Sequence, residues 1–420
     1  MKKALIVACY FPPEGGPGVQ RTAKFVKYLD HFGWDPIVLT SKKKLLPTHD
    51  PSLLEDLPSS IKITRTFTLQ PRMKSKKSII RYLIFVLVYS ISIPDLSVWW
   101  IPFALYEGFL LIKKEKIDII YVTGDPFSSY IIGIFLKLLT GKPLILDFRD
   151  AWILDPRRPI KKVLKWKLPI ENFMFNICVK YADKVVLATN SMKSDFITQF
   201  HKYKSPDDFI AITNGFDVQD LKNISLVEKD SKTFNLVYCG SLNDISRDPI
   251  YLFKALSIMK REQPDIYYQI KLYLVGNIHN NYVENIYKYC INDCVILKGY
   301  QPHSKSLGYL EMADVLVFIM ETGKNVRQIT SGKVFEYIAF GKPILALAPK
   351  DSDAADIIKE SKLGIFANPT DEYSIYNTLL YLFDSWKNNK EIIDCSSSLI
   401  SKYSRENLTK ELAFVFNVCS

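Results

Sequence analysis

The sequence is poor in the residues that staple or metallate small domains. Its seven cysteines (Cys9, Cys178, Cys239, Cys290, Cys294, Cys395 and Cys419) are odd in number and scattered, several of them inside apolar runs. This argues against a disulfide framework and fits reduced thiols in a cytosol. Cys290 and Cys294 are four apart, but no second His/Cys pair lies nearby to complete a zinc site. The opening MKKALIVACYF has the charge and apolarity of a leader, but the apolar run is short and Pro12, Pro13 and Glu14 follow at once. A first β-strand is the better reading. Ile79 to Ile93 is apolar apart from Arg81 and a few Ser and Tyr, yet its 15 residues fall short of the ~20 needed to span a bilayer.

Apolar residues and positive charge are abundant. Hydrophobic residues make up 48% of the 420, enough for large cores and against global disorder. The length predicts two or three domains. The net charge of +11 points to an acidic partner: nucleic acid, anionic lipid or a phosphorylated ligand. Two basic clusters concentrate that charge. Arg72 to Lys77 directly precedes the apolar Ile79 to Ile93, a pairing that suits either a surface dipping into an anionic membrane or a buried core helix. Arg157 to Lys167 holds six basic residues in eleven, interleaved with Leu and Trp166. It reads as an interfacial helix or a solvated basic face, and no recognisable nucleic-acid motif accompanies it.

Taken in order, the chain alternates apolar strands with helices. Lys3 to Tyr10 (strand), Gly15-Gly16-Pro17-Gly18 (loop), Val19 to Phe32 (helix) and Trp34 to Thr40 (strand) open a doubly wound α/β domain. The glycines let backbone approach a ligand closely, or simply make a tight turn. GGPG is not the spaced dinucleotide fingerprint, so NAD is disfavoured. Strands at Ile61 to Phe67, Ile117 to Thr123 and Pro143 to Leu146 follow. The last two run into Gly124-Asp125 and into Asp147-Phe148-Arg149-Asp150. Polar groups at the carboxyl ends of parallel strands sit where such sheets bind ligands. Asp147, Arg149 and Asp150 suit either a polar substrate site or a structural network. After a polar stretch from Asp217 to Ser231, a second α/β pattern starts at Phe234, and an amphipathic helix over Ser401 to Val418 closes the chain.

Within that second pattern, Gln328 to Ala348 reads as loop, helix, turn and buried strand. Ser331 is a candidate N-cap, with Thr330 and Gly332 beside it, and Gly341 is a stop signal followed by Pro343. Glu336 stands between Phe335 and Tyr337, and Lys333 lies one turn earlier on the same face. Either the two form a surface pair, or Lys333 and the helix start face an anion while Glu336 accepts hydrogen bonds from sugar hydroxyls.

The ordered blocks YFPPEGGPGVQRTAKFVKYL, VTGDPFSSYIIG, LILDFRDAW, ITNGFD, VYCGSLNDISRDP, LKGYQPHSKSLGYLEMADVLV and SGKVFEYIAFGKPILAL span nearly the whole chain. Together they resemble the retaining GT-B glycosyltransferases of family 4 (group 1), in particular a bacterial subgroup. The resemblance implies two doubly wound Rossmann-like domains facing across a cleft. Residues 1–217 would bind the acceptor, 218–400 the nucleotide-sugar, and 401–420 would return to the N-terminal domain. It implies a nucleotide-sugar donor and a glycan or lipid-linked acceptor, with no nucleic-acid partner. No cofactor or metal is expected, because no Asp-x-Asp motif lies near the relevant blocks. Asp351-Ser352-Asp353 has that spacing but belongs to the loop after the strand. The setting implied is cytoplasmic, at the anionic inner face of the plasma membrane. Glu336, followed five residues on by Gly341, matches the position that bonds the donor ribose. Gly240, Ser241, Arg247, Ser331, Gly332 and Lys333 complete the implied donor set. Gln328 stands where relatives often carry a sugar-contacting Glu. Gly15, Gly16, Gly18 and Arg149 form the implied acceptor or diphosphate loop. No histidine stands in the matching N-terminal blocks, so Asp125 and Asp150, with Gln328, are the catalytic candidates.

Overall fold

The computed structural model describes residues 1–43, 45–46, 48–71, 79–155, 165–242, 247–322, 326–328, 330–394 and 396–420. The basic run 72–77, residues 157–164 of the second basic cluster and Cys395 lie outside them. The chain divides into two compact units, Met1–Asn214 with Arg405–Ser420, and Gly215–Ser404.

The first unit is built on seven parallel strands. They are β1 (Lys2–Val7), β2 (Trp34–Ser41), β3 (Lys62–Thr66), β4 (Ile119–Gly124), β5 (Leu144–Phe148), β6 (Lys184–Leu187) and β7 (Phe209–Ala211), in the order β3-β2-β1-β4-β5-β6-β7. The continuous apolar run of β1 follows from burial on both faces. Leu5 and Val7 enter one core with Trp100, Tyr130 and Phe175, while Ala4 and Ile6 enter another with Phe25 and Trp34. The helix Arg405–Cys419 covers that second face. Leu408, Leu412 and Phe416 join the core, and the Phe416 ring meets Trp34 edge-on at 5.2 Å.

The second unit repeats the plan with six parallel strands: β8 (Phe234–Cys239), β9 (Ile270–Val275), β10 (Val295–Gly299), β11 (Val315–Ile319), β12 (Ile344–Leu347) and β13 (Gly364–Ala367). Their order is β10-β9-β8-β11-β12-β13. Each sheet therefore reverses its winding once, between β1 and β4 and between β8 and β11. Ligands of such sheets bind outside the carboxyl ends of the strands at that switch point.

Two open readings are decided and one sequence expectation changes. Asp147 does not join Arg149 and Asp150 in a polar cluster, because β5 extends through Phe148 and buries it. Its carboxylate takes a bidentate pair of hydrogen bonds from Arg21 (Nη2–Oδ1 2.9 Å, Nε–Oδ2 3.1 Å) and another from the Tyr121 hydroxyl at 2.7 Å. Arg21 also donates to the carbonyls of Ile212 and Thr213. Both partners are fully buried, so this is an internal brace between helix, sheet and chain exit. Ser331 does not cap its helix. The helix Lys333–Ala339 begins after Gly332 with no side-chain cap, and Ser331 Oγ only receives the Lys333 amide at 3.4 Å. Ile79–Ile91 is a helix, but not a core one: Leu83, Leu87 and Ile91 are all more than half exposed. Leu96–Glu115 is long and apolar enough to cross a membrane by length and composition, yet Ala104, Gly108, Leu111 and Ile112 on its Ile101–Glu115 portion are buried, Ala104, Leu111 and Ile112 in the sheet's core.

Candidate functional site

Each unit carries a polar site at its own switch point. In the first, Cys9 and Tyr10 leave β1 and Thr123, Gly124 and Asp125 leave β4. Cys9, Tyr10, Thr123 and Asp125, together with the glycine loop, line a cavity of about 360 Å³. The loop is held from outside. The buried Glu14 carboxylate accepts the Leu46 amide at 2.8 Å, Thr48 Oγ1 donates to the Gly15 carbonyl at 2.9 Å, and Gly15 N donates to the Thr48 carbonyl. Gly16, at φ 119°, adopts a conformation that other residues avoid, just ahead of the helix Pro17–Tyr28.

Gly18 and Arg149 occupy one another's space. A Cβ on Gly18 would stand 1.1 Å from Arg149 Nη1. Arg149 itself is anchored by Nε to the Gly124 carbonyl at 2.6 Å and by Nη2 to the Asp125 carbonyl at 2.8 Å. The guanidinium thus spans from β5 to the end of β4 and presents an edge to the loop. Gly18→Val is expected to displace Arg149 from the carbonyls of Gly124 and Asp125 and to lower the melting midpoint of the first unit, whereas Gly18→Val combined with Arg149→Ala, which removes the clash, should recover part of that loss. Thermal melts of the two variants and the wild type check this.

Asp125 lies at the cavity mouth. Desolvation, then the neighbouring Asp95, raises its carboxyl to about 6, against the pull of Arg149; Asp150 adds to the rise. Water does reach the residue, whose overall surface is exposed, and this tempers the shift. Asp95 is more enclosed and is also raised by desolvation, although it accepts the Ser97 and Ser128 amides at 2.8 and 3.0 Å and the Ser128 hydroxyl at 2.8 Å. Burial likewise pushes the Tyr10 phenol and the Cys9 thiol upward. The cavity therefore offers one guanidinium, one carboxyl raised above the ordinary carboxylate range, and the hydroxyls of Tyr10, Thr22, Thr48 and Thr123.

In the second unit the site begins where β8 ends. Gly240 has φ 139°, and a Cβ there would stand 1.6 Å from Lys333 Nζ. The glycine is required both by backbone conformation and by the lysine lying across it. Gly276, leaving β9 at φ 133°, packs against the Gly240 carbonyl with equally little room. Lys333 Nζ donates to the Tyr238 hydroxyl at 3.2 Å and lies 4.9 Å from the ring centroid. That hydroxyl in turn donates to the Ser241 carbonyl at 3.3 Å. One turn along the same helix, Tyr337 receives the Cys239 amide at 2.9 Å and ties the helix to the end of β8.

The charges here are crowded. Burial lowers Lys333 to about 8, and the nearby Arg247 pushes the same way, while Glu336 opposes both. Arg247 pairs with Glu321, just beyond β11, at 3.5 Å. Gly240, Arg247, Lys333 and Glu336 thus come together, and Ser241 contributes its carbonyl. Gly332 faces open space, so no crowding demands a glycine there. Gln328 sits in a turn whose neighbour Arg327 accepts the Asp353 amide at 3.0 Å, which brings the 351–353 segment to the same loop. Two cations beside a carboxylate suit a diphosphate next to a hydroxyl-bearing group. Sequence reasoning missed Tyr238, Tyr10 and Glu14. The first two are the aromatic residues at or near strand ends next to the glycines, which was the available signal.

Residues 233–385 match the family profile described as "Glycosyl transferases group 1". No curated protein matches the chain in sequence. Among solved structures, HepE of Anabaena in complex with UDP is similar at 15% identity and a TM-score of 0.64, with 100% of each chain covered. WaaG, a glycosyltransferase involved in lipopolysaccharide biosynthesis, is similar at 12% identity and 0.55, over 98% of this chain and 99% of that one. A UDP-N-acetylglucosamine 2-epimerase is similar at 15% and 0.56, over 99% and 97%. At such identities the likeness is one of fold.

Proposed function

We propose that this chain, a glycosyltransferase with a group 1 domain on a GT-B fold, moves a sugar from a nucleotide-sugar to a lipid-linked or polysaccharide acceptor with retention of configuration. The observation that carries this reading is the Gly240–Arg247–Lys333–Glu336 constellation at the switch point of the second sheet. The cations hold the diphosphate, and Glu336 accepts hydrogen bonds from the ribose. As the anomeric bond breaks, charge grows on the departing phosphate and the pre-placed cations bind it more strongly. That phosphate can accept the acceptor's proton, so no strong protein base is needed. In this reading the two side chains and the backbone amides of the loop supply the positive charge, with no metal.

The cavity of the first unit receives the acceptor. Arg149 and the glycine loop suit an anionic group, and Asp125 and the nearby hydroxyls orient sugar or lipid-phosphate oxygens, while Asp150, which does not line the cavity, acts on Asp125 through its charge. Cell-surface glycan synthesis at the inner face of a bacterial membrane is the setting this reading implies. UDP is the first nucleotide to try, because HepE is seen with UDP.

The test is a thermal-shift screen of UDP, GDP, ADP and their sugars, followed by transfer of labelled sugar to membrane lipid. Ligands of the native state raise its apparent stability. Glu336→Ala is expected to weaken the cognate nucleotide by roughly 10- to 100-fold, the loss of one charge-assisted hydrogen-bond pair. Unchanged affinity by calorimetry would remove Glu336 from the site.

The likeness to a 2-epimerase favours a second reading, turnover of the nucleotide-sugar itself. Donor isomerisation with no acceptor present would select it.

A further inference from the structure

The helix Ile79–Ile91 turns a stripe of apolar side chains outward. Leu83, Leu87 and Ile91 recur every four residues, at 60%, 63% and 54% exposure, and so share one face. A surface helix of a soluble protein shows water its polar face instead. The helix Lys167–Tyr181 begins beside it and does the same. Trp166, Ile170 and Phe173 lie on one face and are exposed at 51%, 39% and 66%.

One side chain joins these two helices. Lys167 Nζ donates to the carbonyls of Tyr89 and Ser92, at 2.7 and 2.8 Å, and so binds the start of the second helix to the end of the first. Ser92 Oγ also receives Trp99 Nε1 at 2.9 Å. Segments far apart in sequence thereby meet at one corner of the first unit, each with an exposed apolar stripe.

Charge completes the pattern. Each helix is preceded in the chain by a basic run with no acid: Arg72, Lys74, Lys76 and Lys77 before the first, and six basic residues between Arg157 and Lys167 before the second. Ile79–Ile91 contains no carboxylate. The only one in Lys167–Tyr181 is Glu171, which is buried at 2% exposure and acts on Lys167. Neither stripe therefore opposes a negatively charged surface.

We propose that the paired stripes Leu83–Leu87–Ile91 and Trp166–Ile170–Phe173, stapled by Lys167, form a docking face for an anionic lipid bilayer. The aromatic and aliphatic side chains enter the acyl boundary, and the positive charge that the sequence carries next to both helices favours an anionic surface over a neutral one. A lipid-linked acceptor gives the face its purpose, so in that respect the inference rests on the function proposed above. Its physics does not.

Flotation of the full chain with vesicles tests it. The wild type is expected to bind phosphatidylcholine–phosphatidylglycerol vesicles, more weakly as salt rises, and to bind phosphatidylcholine alone poorly. Leu87→Glu with Phe173→Glu changes two exposed side chains. It should lower binding to the mixed vesicles by roughly a hundredfold or more while leaving the melting midpoint and nucleotide affinity unchanged. Wild-type failure to bind either vesicle, or equal binding by the double variant, would overturn the proposal. So would a wild-type dimer that the double variant dissociates without any vesicle binding, which would make the face a contact between two copies. If vesicles bind as expected but no sugar reaches lipid, the docking face stands and the acceptor reading falls.

Discussion

Lys333→Ala is expected to lower kcat/KM for the donor by about 100- to 1000-fold, the range seen when a pre-placed stabiliser of a developing oxyanion is removed. The size follows from how Lys333 is held. It lies across Gly240, touches the Tyr238 hydroxyl, and is kept partly out of water beside Arg247. In the function proposed above, a cation so placed would meet the leaving diphosphate with no rearrangement. The same crowding sets a pH signature. Lys333 titrates at about 8, below the ordinary 10.5. The free protein therefore loses this charge as pH rises through about 8, and donor KM should climb there. Lys333→Arg, which stays protonated, should lack that alkaline limb. Stability of the ligand-free protein moves the other way. Between about 8 and 10.5 the unfolded chain binds the proton that the folded one has released, so stability rises with pH across that window. Steady-state kinetics and thermal melts over one pH series check both slopes. A donor KM flat through this range in the wild type would show that Lys333 does not contact the diphosphate.

Arg21→Met should destabilise the first unit by about 3–5 kcal/mol, because it leaves the Asp147 carboxylate buried without its counter-charge. On a domain of this size that is a fall in melting midpoint on the order of 10 °C. Asp147 would keep only the Tyr121 and Thr123 hydroxyls, and the Ile212 and Thr213 carbonyls would lose their donor. Removing both charges together, Arg21→Met with Asp147→Leu, should recover much of the loss, since a buried pair replaced by apolar groups is often neutral. Calorimetry of the two variants and the wild type decides it. A single variant that melts with the wild type would mean that the pair is hydrated in solution.

Neither prediction was fully legible in the sequence. Lys333 and Glu336 stood out because charges inside an apolar helix need a reason, and their spacing put them on one face. Arg21 did not stand out. It reads as one more polar residue of an amphipathic helix, and its partner lies on β5, more than a hundred residues away. Asp147 was visible but its role stayed open between a substrate site and a structural network, since the stop of a strand is the least certain part of a periodic pattern and β5 ran far enough to take it inside. Tyr238 was hidden for a related reason: an aromatic residue in a strand is ordinary core, and only the lysine laid against its ring makes it part of a site.

The alternation of apolar strands with helices, the glycines at strand ends and the position of Glu336 determined the doubly wound class and pointed to the residues that gather at the end of β8. These are local signals: periodicity sets which faces are buried, and a positive φ or a close approach leaves glycine little competition. Tertiary structure alone decided the pairings. It set Gly18 against Arg149 and Gly240 against Lys333, closed Arg21 on Asp147, and used Lys167 to bring two distant apolar helices to one corner. Those contacts join residues far apart in the chain, and their strength comes from burial and from the exclusion of water, which no local stretch of sequence carries.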